Sequence, residues 1–193
     1  MKNVILEQAK EEDIEEISSL IYETEMHPDY EWGNGSEEEM RKRLIAMLKE
    51  KNNRFALDNI IVCRENESFV GILLSAEGKD IKRLTFKSDI KLLPLQYNLI
   101  EKVRFGLFNI MTGYLFYKEC NKDEYYLSNI AIKPEFRRNG YGKLLMDFGD
   151  KTAKDKGYKK VSLNANNAKL VDLYKTFGFE LEQGSDMKMV KSI

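Results

Sequence analysis

The segment RRNGYG, residues 137–142, places two arginines and two glycines where a predicted strand gives way to a predicted helix. The first turn of a helix has backbone N–H groups without partners, and the helix dipole adds partial positive charge there. Glycines allow an anion to approach that backbone closely, and arginines supply charge-assisted hydrogen-bond donors. The segment therefore predicts a site for a phosphate-like anion, with a simple turn carrying two solvated arginines as the alternative.

The spacing of these glycines differs from that of two well-known nucleotide-binding loops. A Walker loop requires four residues between its glycines and then a lysine, and the dinucleotide fingerprint requires three glycines. RRNGYG matches neither pattern. The six residues alone leave both interpretations open.

Apolar periodicity predicts the elements that would position this segment. Strands are predicted at residues 4–8, 59–65, 68–76, 125–132, 159–165 and about 186–191. Helices are predicted at 11–23, at 36–51 behind a Ser36/Glu39 capping box, within 79–118, at about 140–157 and at 168–180. Residues 24–35 are predicted as a loop because Pro28 and two glycines interrupt the pattern. This order indicates a single α/β (α+β) domain over residues 1–193, with a mixed sheet and helices on both faces.

Residues 79–118 are the least regular part of the chain. Apolar residues recur about every four positions from Leu95 to Met111, which predicts one helix with Pro94 near its start. The uncharged stretch at 105–117 is shorter than the roughly 20 residues that a membrane span requires. It is therefore interpreted as a buried element of a soluble fold.

Composition limits the classes of partner and site. The chain has 193 residues, 31 basic and 32 acidic, and a net charge of −1, which argues against nucleic-acid binding. His27 is the only histidine, and Cys63 and Cys120 lack the spacing of metal ligands, so no metal site is predicted. The cysteines are interpreted as reduced, packed thiols. Because the acidic start of the chain shows no signal-peptide pattern, we expect a cytoplasmic protein without membrane contact.

Three stretches of the sequence together resemble one protein family, the GCN-related N-acetyltransferases (GNAT). LSNIAIKPEFRRNGYGKLL, at 127–145, is similar to the family's central motif with its R-x-x-G-x-G loop. VSLNANNAKLVDLYKTFGFE, at 161–180, is similar to the next motif. ILEQAKEEDIEEI, at 5–17, is similar to the usual first strand and acidic helix entry.

The similarity to this family is close over residues 124–190 and loose over 3–76. It implies a mostly antiparallel central sheet flanked by helices, with one splayed pair of strands and a bulge at Asn129–Ile130. It also implies acetyl-CoA as co-substrate, with its pantetheine arm between the splayed strands. Residues 79–118 do not resemble the family core and are expected to be a helical insertion or a subgroup elaboration.

By this resemblance, the backbone of the RRNGYG loop holds the pyrophosphate of coenzyme A, and an N–H near Ile130 or Ala131 polarises the thioester carbonyl. Asn167 corresponds to an asparagine that bonds the pantetheine, although its place before a predicted helix also suits an N-cap. The expected cofactor-binding residues are Asn129, Ile130, Ala131, Ile132, Arg137, Arg138, Asn139, Gly140, Tyr141, Gly142, Lys143, Asn167 and Tyr174.

Two catalytic residues are expected from the resemblance. Tyr174 matches the family's tyrosine and would protonate the departing thiolate, for which a phenol of pKa about 10 is a workable donor. Periodicity alone also allows Tyr174 to be a core aromatic, since it shares the apolar face of its helix. Some members of the family have a glutamate early on the central strand that acts as the general base and takes the proton of the amine. That position aligns near Tyr126 here, and Glu124 is the nearest carboxylate.

An acidic and aromatic loop is a candidate wall of the acceptor pocket. In the family this region often contacts the acceptor, and such a wall would suit a cationic amine. The alternative is a solvated acidic loop, in which His27 is either a base or an idle surface residue. The residues concerned are Glu23, Glu25, His27, Asp29, Tyr30, Glu31 and Trp32.

The resemblance implies an N-acetyltransferase in which a primary amine of a small molecule or peptide attacks acetyl-CoA directly. Neither cysteine lies in a recognised motif, which argues against a covalent cysteine intermediate. Two alternatives stay open: a non-catalytic acyl-CoA-binding or sensor module, and a protein lysine or N-terminal acetyltransferase. Residues 79–118 would cover the acceptor site, form a homodimer interface or pack in the core.

Overall fold

The computed structural model describes residues 3–113 and 118–193 of the chain. Within these residues, seven strands form one sheet, in which only one pair of neighbouring strands is parallel. The predicted mixed, mostly antiparallel sheet is confirmed. The strands are β1 (Val4–Gln8), β2 (Ile60–Glu65), β3 (Ser68–Glu77), β4 (Tyr125–Ile132), β5 (Lys160–Asn164), β6 (Glu180–Leu181) and β7 (Lys188–Ser192). They lie in the sheet in the order β1-β2-β3-β4-β5-β7-β6, and β4–β5 is the parallel pair.

Helices pack on both faces of this sheet. On β3, Ile72 and Leu74 belong to an apolar cluster with the helices that begin at Ile14 and Glu37, whereas Leu73 belongs to a cluster with the helices that begin at Tyr141 and Ala168. This division follows from the alternation of side chains along a strand. The helices are α1 (Ile14–Thr24), α2 (Pro28–Trp32), α3 (Glu37–Lys49), α4 (Gly78–Leu92), α5 (Leu99–Phe105), which a π-helical segment (Gly106–Gly113) continues, α6 (Tyr141–Asp155) and α7 (Ala168–Lys175).

Two helix starts predicted from the sequence are confirmed. The capping box precedes α3: the N–H of Ser36 donates to the Glu39 carboxylate at 2.7 Å, and the N–H of Glu39 donates to the Ser36 hydroxyl at 3.3 Å. α6 begins at Tyr141, inside the RRNGYG segment. Local sequence signals therefore set both boundaries.

A short helix, α2, occupies part of the segment predicted as a loop. Pro28 is its first residue, a position where the missing N–H of proline costs no hydrogen bond. Arg43 of α3 is buried, and its Nη1 donates to the carbonyl oxygens of residues 32–34 at 2.8–3.1 Å. These bonds fix the end of α2 against α3, so the acidic residues on α2 have defined positions.

The helix predicted from about Leu95 to Met111 corresponds to α5 and its π-helical continuation, which together cover residues 99–113, but the prediction of a single helix misses α4 before it. Pro94 lies in a short 3₁₀ helix, Leu93–Leu95, that follows α4, and Asn98 caps α5 by accepting the Glu101 N–H at 2.9 Å. The apolar residues that suggested one helix are exposed, so this face does not belong to the core of the described residues. They are Leu95, Leu99, Val103, Leu107 and Met111. Residues 114–117 of the apolar stretch lie outside the described residues, and no described helix is long and apolar enough to cross a membrane.

The parallel pair β4–β5 is joined at one end only. Tyr125 and Tyr126 lie opposite Val161 and Ser162, and no later residue of β4 pairs with β5. On its other side, β4 stays paired with β3 as far as Ile132. The predicted splayed pair is confirmed, and most of one edge of β4 has no strand partner among the described residues.

A bulge lies where the two strands begin to separate. Leu74 of β3 is opposite Asn129, but Ser75 is opposite Leu127, so Ser128 is the extra residue in β4. The bulge is one residue earlier than expected from the sequence. An extra residue bends and twists a strand locally, which accounts for the divergence of β4 from β5 at this point.

Glu124, immediately before β4, is engaged in structural contacts. It is 1% exposed, and its carboxylate accepts hydrogen bonds from the backbone N–H of Asn121 at 2.8 Å and from Lys188 of β7 at 3.2 Å. Burial alone would raise the pKa of Glu124, but these hydrogen bonds lower it overall. The expectation that Glu124 is the catalytic base is therefore corrected, because its carboxylate is held in a buried ion pair and does not line the cavity described below.

We expect Glu124→Gln to lower the free energy of unfolding by about 3 kcal/mol, because the buried ammonium of Lys188 loses a partner charge and keeps only the more exposed Glu182. Urea denaturation measures this change. Asp123→Asn, which removes the adjacent exposed ion pair with Lys160, is the matched control and should cost less than about 0.5 kcal/mol. A Glu124→Gln protein of unchanged stability would contradict this structural role.

Candidate active site

A cavity of about 1620 Å³ opens beside β4 where that strand leaves β5. Small-molecule pockets are typically about 300–1000 Å³, so this cavity has room for more than one ligand group. Its walls come from the α1–α2 region, the segment before β2, α4, β4, the residues that precede β4, and α7. Of the residues predicted to bind the cofactor, those in its lining are Asn129, Ile130, Ala131, Ile132, Arg137 and Tyr174.

The start of α6 presents accessible backbone. Gly140 precedes the helix with a φ of +86°, a left-handed conformation that glycine adopts without strain. A Cβ atom added at Gly140 or Gly142 would meet no other atom within 4 Å. The side-chain amide of Asn139 closes the preceding turn by donating to the carbonyls of Phe136 and Arg137 at 3.2 and 3.1 Å. The first-turn N–H groups of α6 are therefore open to an anion.

The two arginines of the turn are placed differently. Arg137 lines the cavity, and its Nε donates to the carbonyl of Ile132 at 2.9 Å. This bond holds the guanidinium between the end of β4 and the turn. Arg138 is exposed and has a φ of +64°. Both side chains therefore lie near the open helix start, one of them at the cavity.

The side chains of Tyr141 and Lys143 are occupied away from the cavity. Tyr141 is buried, and its hydroxyl donates to the carboxylate of Glu65. Lys143 forms an exposed ion pair with Asp147 at 2.6 Å. These two residues can therefore contribute backbone N–H groups to an anion site but not their side chains.

Two neighbouring asparagines near the start of α7 have different roles. Asn167 caps the helix by accepting the Leu170 N–H at 3.0 Å, and it lies outside the cavity lining. Asn166 lines the cavity and donates to the carbonyl of Thr24 at 2.7 Å. Across the gap, Asn129 of β4 donates to the Thr24 hydroxyl at 3.0 Å. Thr24 therefore bridges the two sides of the gap. Beyond the Asn-Asn pair itself, no pattern in the sequence indicates this bridge.

Tyr174 of α7 lines the cavity and also contacts the core. Its ring meets Phe179 edge-on, with the ring centroids 6.1 Å apart. Burial raises the pKa of the phenol above its ordinary value. The hydroxyl, which bonds to no described residue, is therefore protonated at neutral pH and available to donate to a ligand.

One part of the cavity contains a guanidinium among carboxylates. Arg54 donates to the carboxylate of Glu119 and to the hydroxyl of Ser128, both at 2.8 Å. Glu31 of α2 and Asp89 of α4 line the same cavity and interact electrostatically with Arg54. Neither of these two carboxylates makes a hydrogen bond or ion pair with a described residue.

The charges in this cluster shift one another's pKa. Burial raises the pKa of Glu31 to about 8; Arg54 opposes this rise, and Glu25, Glu119 and Asp89 add to it. Burial also raises the pKa of Asp89 to about 7, again against the effect of Arg54. Burial alone would lower the pKa of Arg54, but the surrounding carboxylates raise it overall. One guanidinium thus faces more carboxyl groups than it can neutralise.

Most residues of the acidic loop line the cavity, with one exception. Trp32 is fully buried in the core, its ring 4.6 Å from that of Phe55, so the expectation that it forms part of the wall is wrong. Trp32 is the last residue of the short helix α2, where its side chain can face the core. The prediction of a loop at this position misses that possibility. The loop residues that do line the cavity are Glu23, Glu25, His27, Asp29, Tyr30 and Glu31.

Both cysteines are buried free thiols, as predicted. Burial raises the pKa of Cys120, which lines the cavity, to about 12, and that of Cys63 to about 11. The thiolate is the nucleophilic form of cysteine. Cys120 is therefore protonated and unreactive at neutral pH.

We expect Glu31 to make a stabilising contribution to the free energy of unfolding of the ligand-free protein, because the folded state favours its protonated form. This contribution is fully present below the ordinary pKa of 4.5. This contribution is lost as the pH rises through about 8, because the folded state keeps a proton that the unfolded chain has released. Urea denaturation of wild type and Glu31→Gln across this range measures it. The stability of the variant relative to wild type should increase with pH. Parallel curves for the two proteins would contradict the assignment.

Comparison with solved structures identifies similar folds. An N-acetyltransferase from Staphylococcus aureus Mu50 is 21% identical, with a TM-score of 0.74 over 98% of this chain and 100% of that chain. A second acetyltransferase is 20% identical, with a TM-score of 0.71 over 98% and 99% of the two chains. The PaiA N-acetyltransferase from Thermoplasma acidophilum, solved with coenzyme A, is 16% identical, with a TM-score of 0.54 over 99% of each chain. At these identities the similarity establishes the fold alone.

The family follows from a sequence comparison. No curated protein matches the sequence at a significant level. The family model described as acetyltransferase (GNAT) family matches residues 12–179, which is most of the chain. That range contains the splayed strands, the glycine turn before α6 and Tyr174. The chain therefore belongs to the GNAT family of acetyltransferases.

Proposed function

We propose that this protein is an acetyl-CoA-dependent N-acetyltransferase that acetylates a primary amine of a small molecule or peptide. The observation that carries the proposal is the arrangement of three features along β4: an open helix start, an unpaired strand edge and a large cavity. Together they would hold an anionic cofactor with an extended arm and leave room for an acceptor. The coenzyme A complex of the Thermoplasma enzyme supports this choice of cofactor for the fold.

The residues present suit coenzyme A. The first-turn N–H groups of α6, together with Arg137 and Arg138, would hold its linked phosphates. The unpaired edge of β4 from Asn129 to Ile132 would bond the amide groups of the pantetheine arm, since strand backbone without a partner requires one. Bound acetyl-CoA would supply the acetyl group as a thioester, which an uncharged amine attacks to give an amide and a thiol.

Side chains and backbone of the cavity would assist this transfer. An N–H near Ile130 or Ala131 would stabilise negative charge on the carbonyl oxygen. Tyr174 would hold, at its hydroxyl, the proton that the leaving sulfur takes up. Because Cys120 is protonated, the acetyl group would pass directly to the amine. Asn166, which lines the cavity, replaces Asn167 in the proposed set of cofactor contacts.

We expect Tyr174→Phe to lower kcat by about a hundredfold or more, which is the usual cost of removing a general acid, while acetyl-CoA affinity changes little. A thiol-release assay over polyamines, amino acids, aminoglycosides and peptides measures turnover, and calorimetry measures affinity. Tyr97→Phe, at an exposed tyrosine outside the cavity, is the control. If wild type binds acetyl-CoA but transfers acetyl to no amine of the panel, the enzyme proposal fails and a binding module is favoured.

A further inference from the structure

The cluster around Arg54 lies in the cavity proposed for the acceptor and has an excess of carboxylates. Glu31 comes from α2, Asp89 from α4 and Glu119 from the segment before β4, so three separate elements bring acidic groups to one guanidinium. Arg54 uses Nη1 for Glu119 and Nη2 for Ser128. Arg54 and Glu119 thus form a pair, which leaves Glu31 and Asp89 near the Arg54 charge but without a hydrogen bond or ion pair of their own among the described residues.

Glu31 and Asp89 are half-buried, and both line the cavity. An unpaired carboxylate in such a place is costly, and a protein commonly avoids the cost by keeping the carboxyl protonated. The raised pKa values of both groups, caused first by burial, agree with this. A cation of a ligand, placed between the two carboxylates, would remove the same cost and leave both ionised.

Lysines also line the cavity but do not neutralise these groups. Lys79 pairs with Glu77 at 2.6 Å, and Lys118 donates to the side chain of Asn121. All of the lining lysines are exposed, so water and salt screen their charges. They are Lys79, Lys82, Lys118 and Lys122.

We infer that the acceptor is an aliphatic diamine or polyamine, whose second ammonium group lies between Glu31 and Asp89 while its reacting amine lies beside Ile130 and Tyr174. This inference rests on the proposed acetyl transfer. All four residues line one cavity, so a flexible linear amine can occupy both positions together. A monoamine would leave both carboxylates unpaired, and an amino acid would bring a further carboxylate to a cluster that already has too many.

The inference is tested by comparing putrescine with butylamine, which share a reacting amine and a four-carbon chain and differ in the second ammonium. We expect kcat/KM of wild type to be about 10- to 100-fold higher for putrescine, chiefly through KM, which is the range for a hydrogen bond to a charged group. Equal kcat/KM values for the two amines would overturn the inference.

The double variant Glu31→Gln/Asp89→Asn tests the two residues. Because neither carboxylate makes a hydrogen bond or ion pair with a described residue, the neutral amides should preserve folding, which thermal unfolding checks. The ratio of kcat/KM for putrescine to that for butylamine should fall close to one. Asp80→Asn, on α4 but outside the cavity, is the matched control and should keep the wild-type ratio. An unchanged ratio in the double variant would overturn the inference.

Direct binding separates this inference from the proposed function. If no amine is acetylated, the proposed function fails, and calorimetry of putrescine with the coenzyme A-saturated protein then tests the cation site by itself. Binding in wild type that is lost in the double variant supports the site. Absence of binding in wild type, or equal binding in both proteins, overturns it.

Discussion

The proposed site depends on how β4 is held to β5 at one end and released at the other. Before β4, Glu124 pairs with Lys188, which lies opposite Asn164 of β5. The amide of Asn164 in turn donates to the hydroxyl of Tyr126 at 3.0 Å. Beyond this fixed end, the bulge at Ser128 turns β4 away from its parallel neighbour. The result is an unpaired strand edge inside a folded domain, which is a place where an extended ligand can complete the sheet.

Opposite charges are separated along this edge. At the end of β4 near α6, open N–H groups and Arg137 favour an anion, whereas the cavity collects the carboxylates of Glu31 and Asp89. An anionic cofactor and a cationic acceptor would therefore each be directed to one end. The segment that carries Glu31 is itself fixed, because Arg43 holds the end of α2 and the Thr24 bridge holds the end of α1.

Features set by neighbouring residues were predictable from the sequence, and features set by distant contacts were not. The capping box, the strand before the glycine turn and the start of α6 depend on local signals and were predicted correctly. Pro28 was interpreted as a helix breaker, although the same residue is favourable at a first helical position. Residues from three distant segments form the cluster around Arg54, and no local pattern relates them. The choice between Asn166 and Asn167 likewise required the direction of each side chain.

The central claim is that the backbone opening α6 binds the linked phosphates of acetyl-CoA, and calorimetry of wild type against Gly142→Glu tests it most directly. A glutamate near a helix start is favourable in the free protein, yet its charge and bulk would occupy the space that the phosphates require. We predict saturable acetyl-CoA binding to wild type and none to the variant, whose thermal stability stays equal or rises. Wild type that binds no acetyl-CoA, or a variant that binds it as well as wild type does, would contradict the claim.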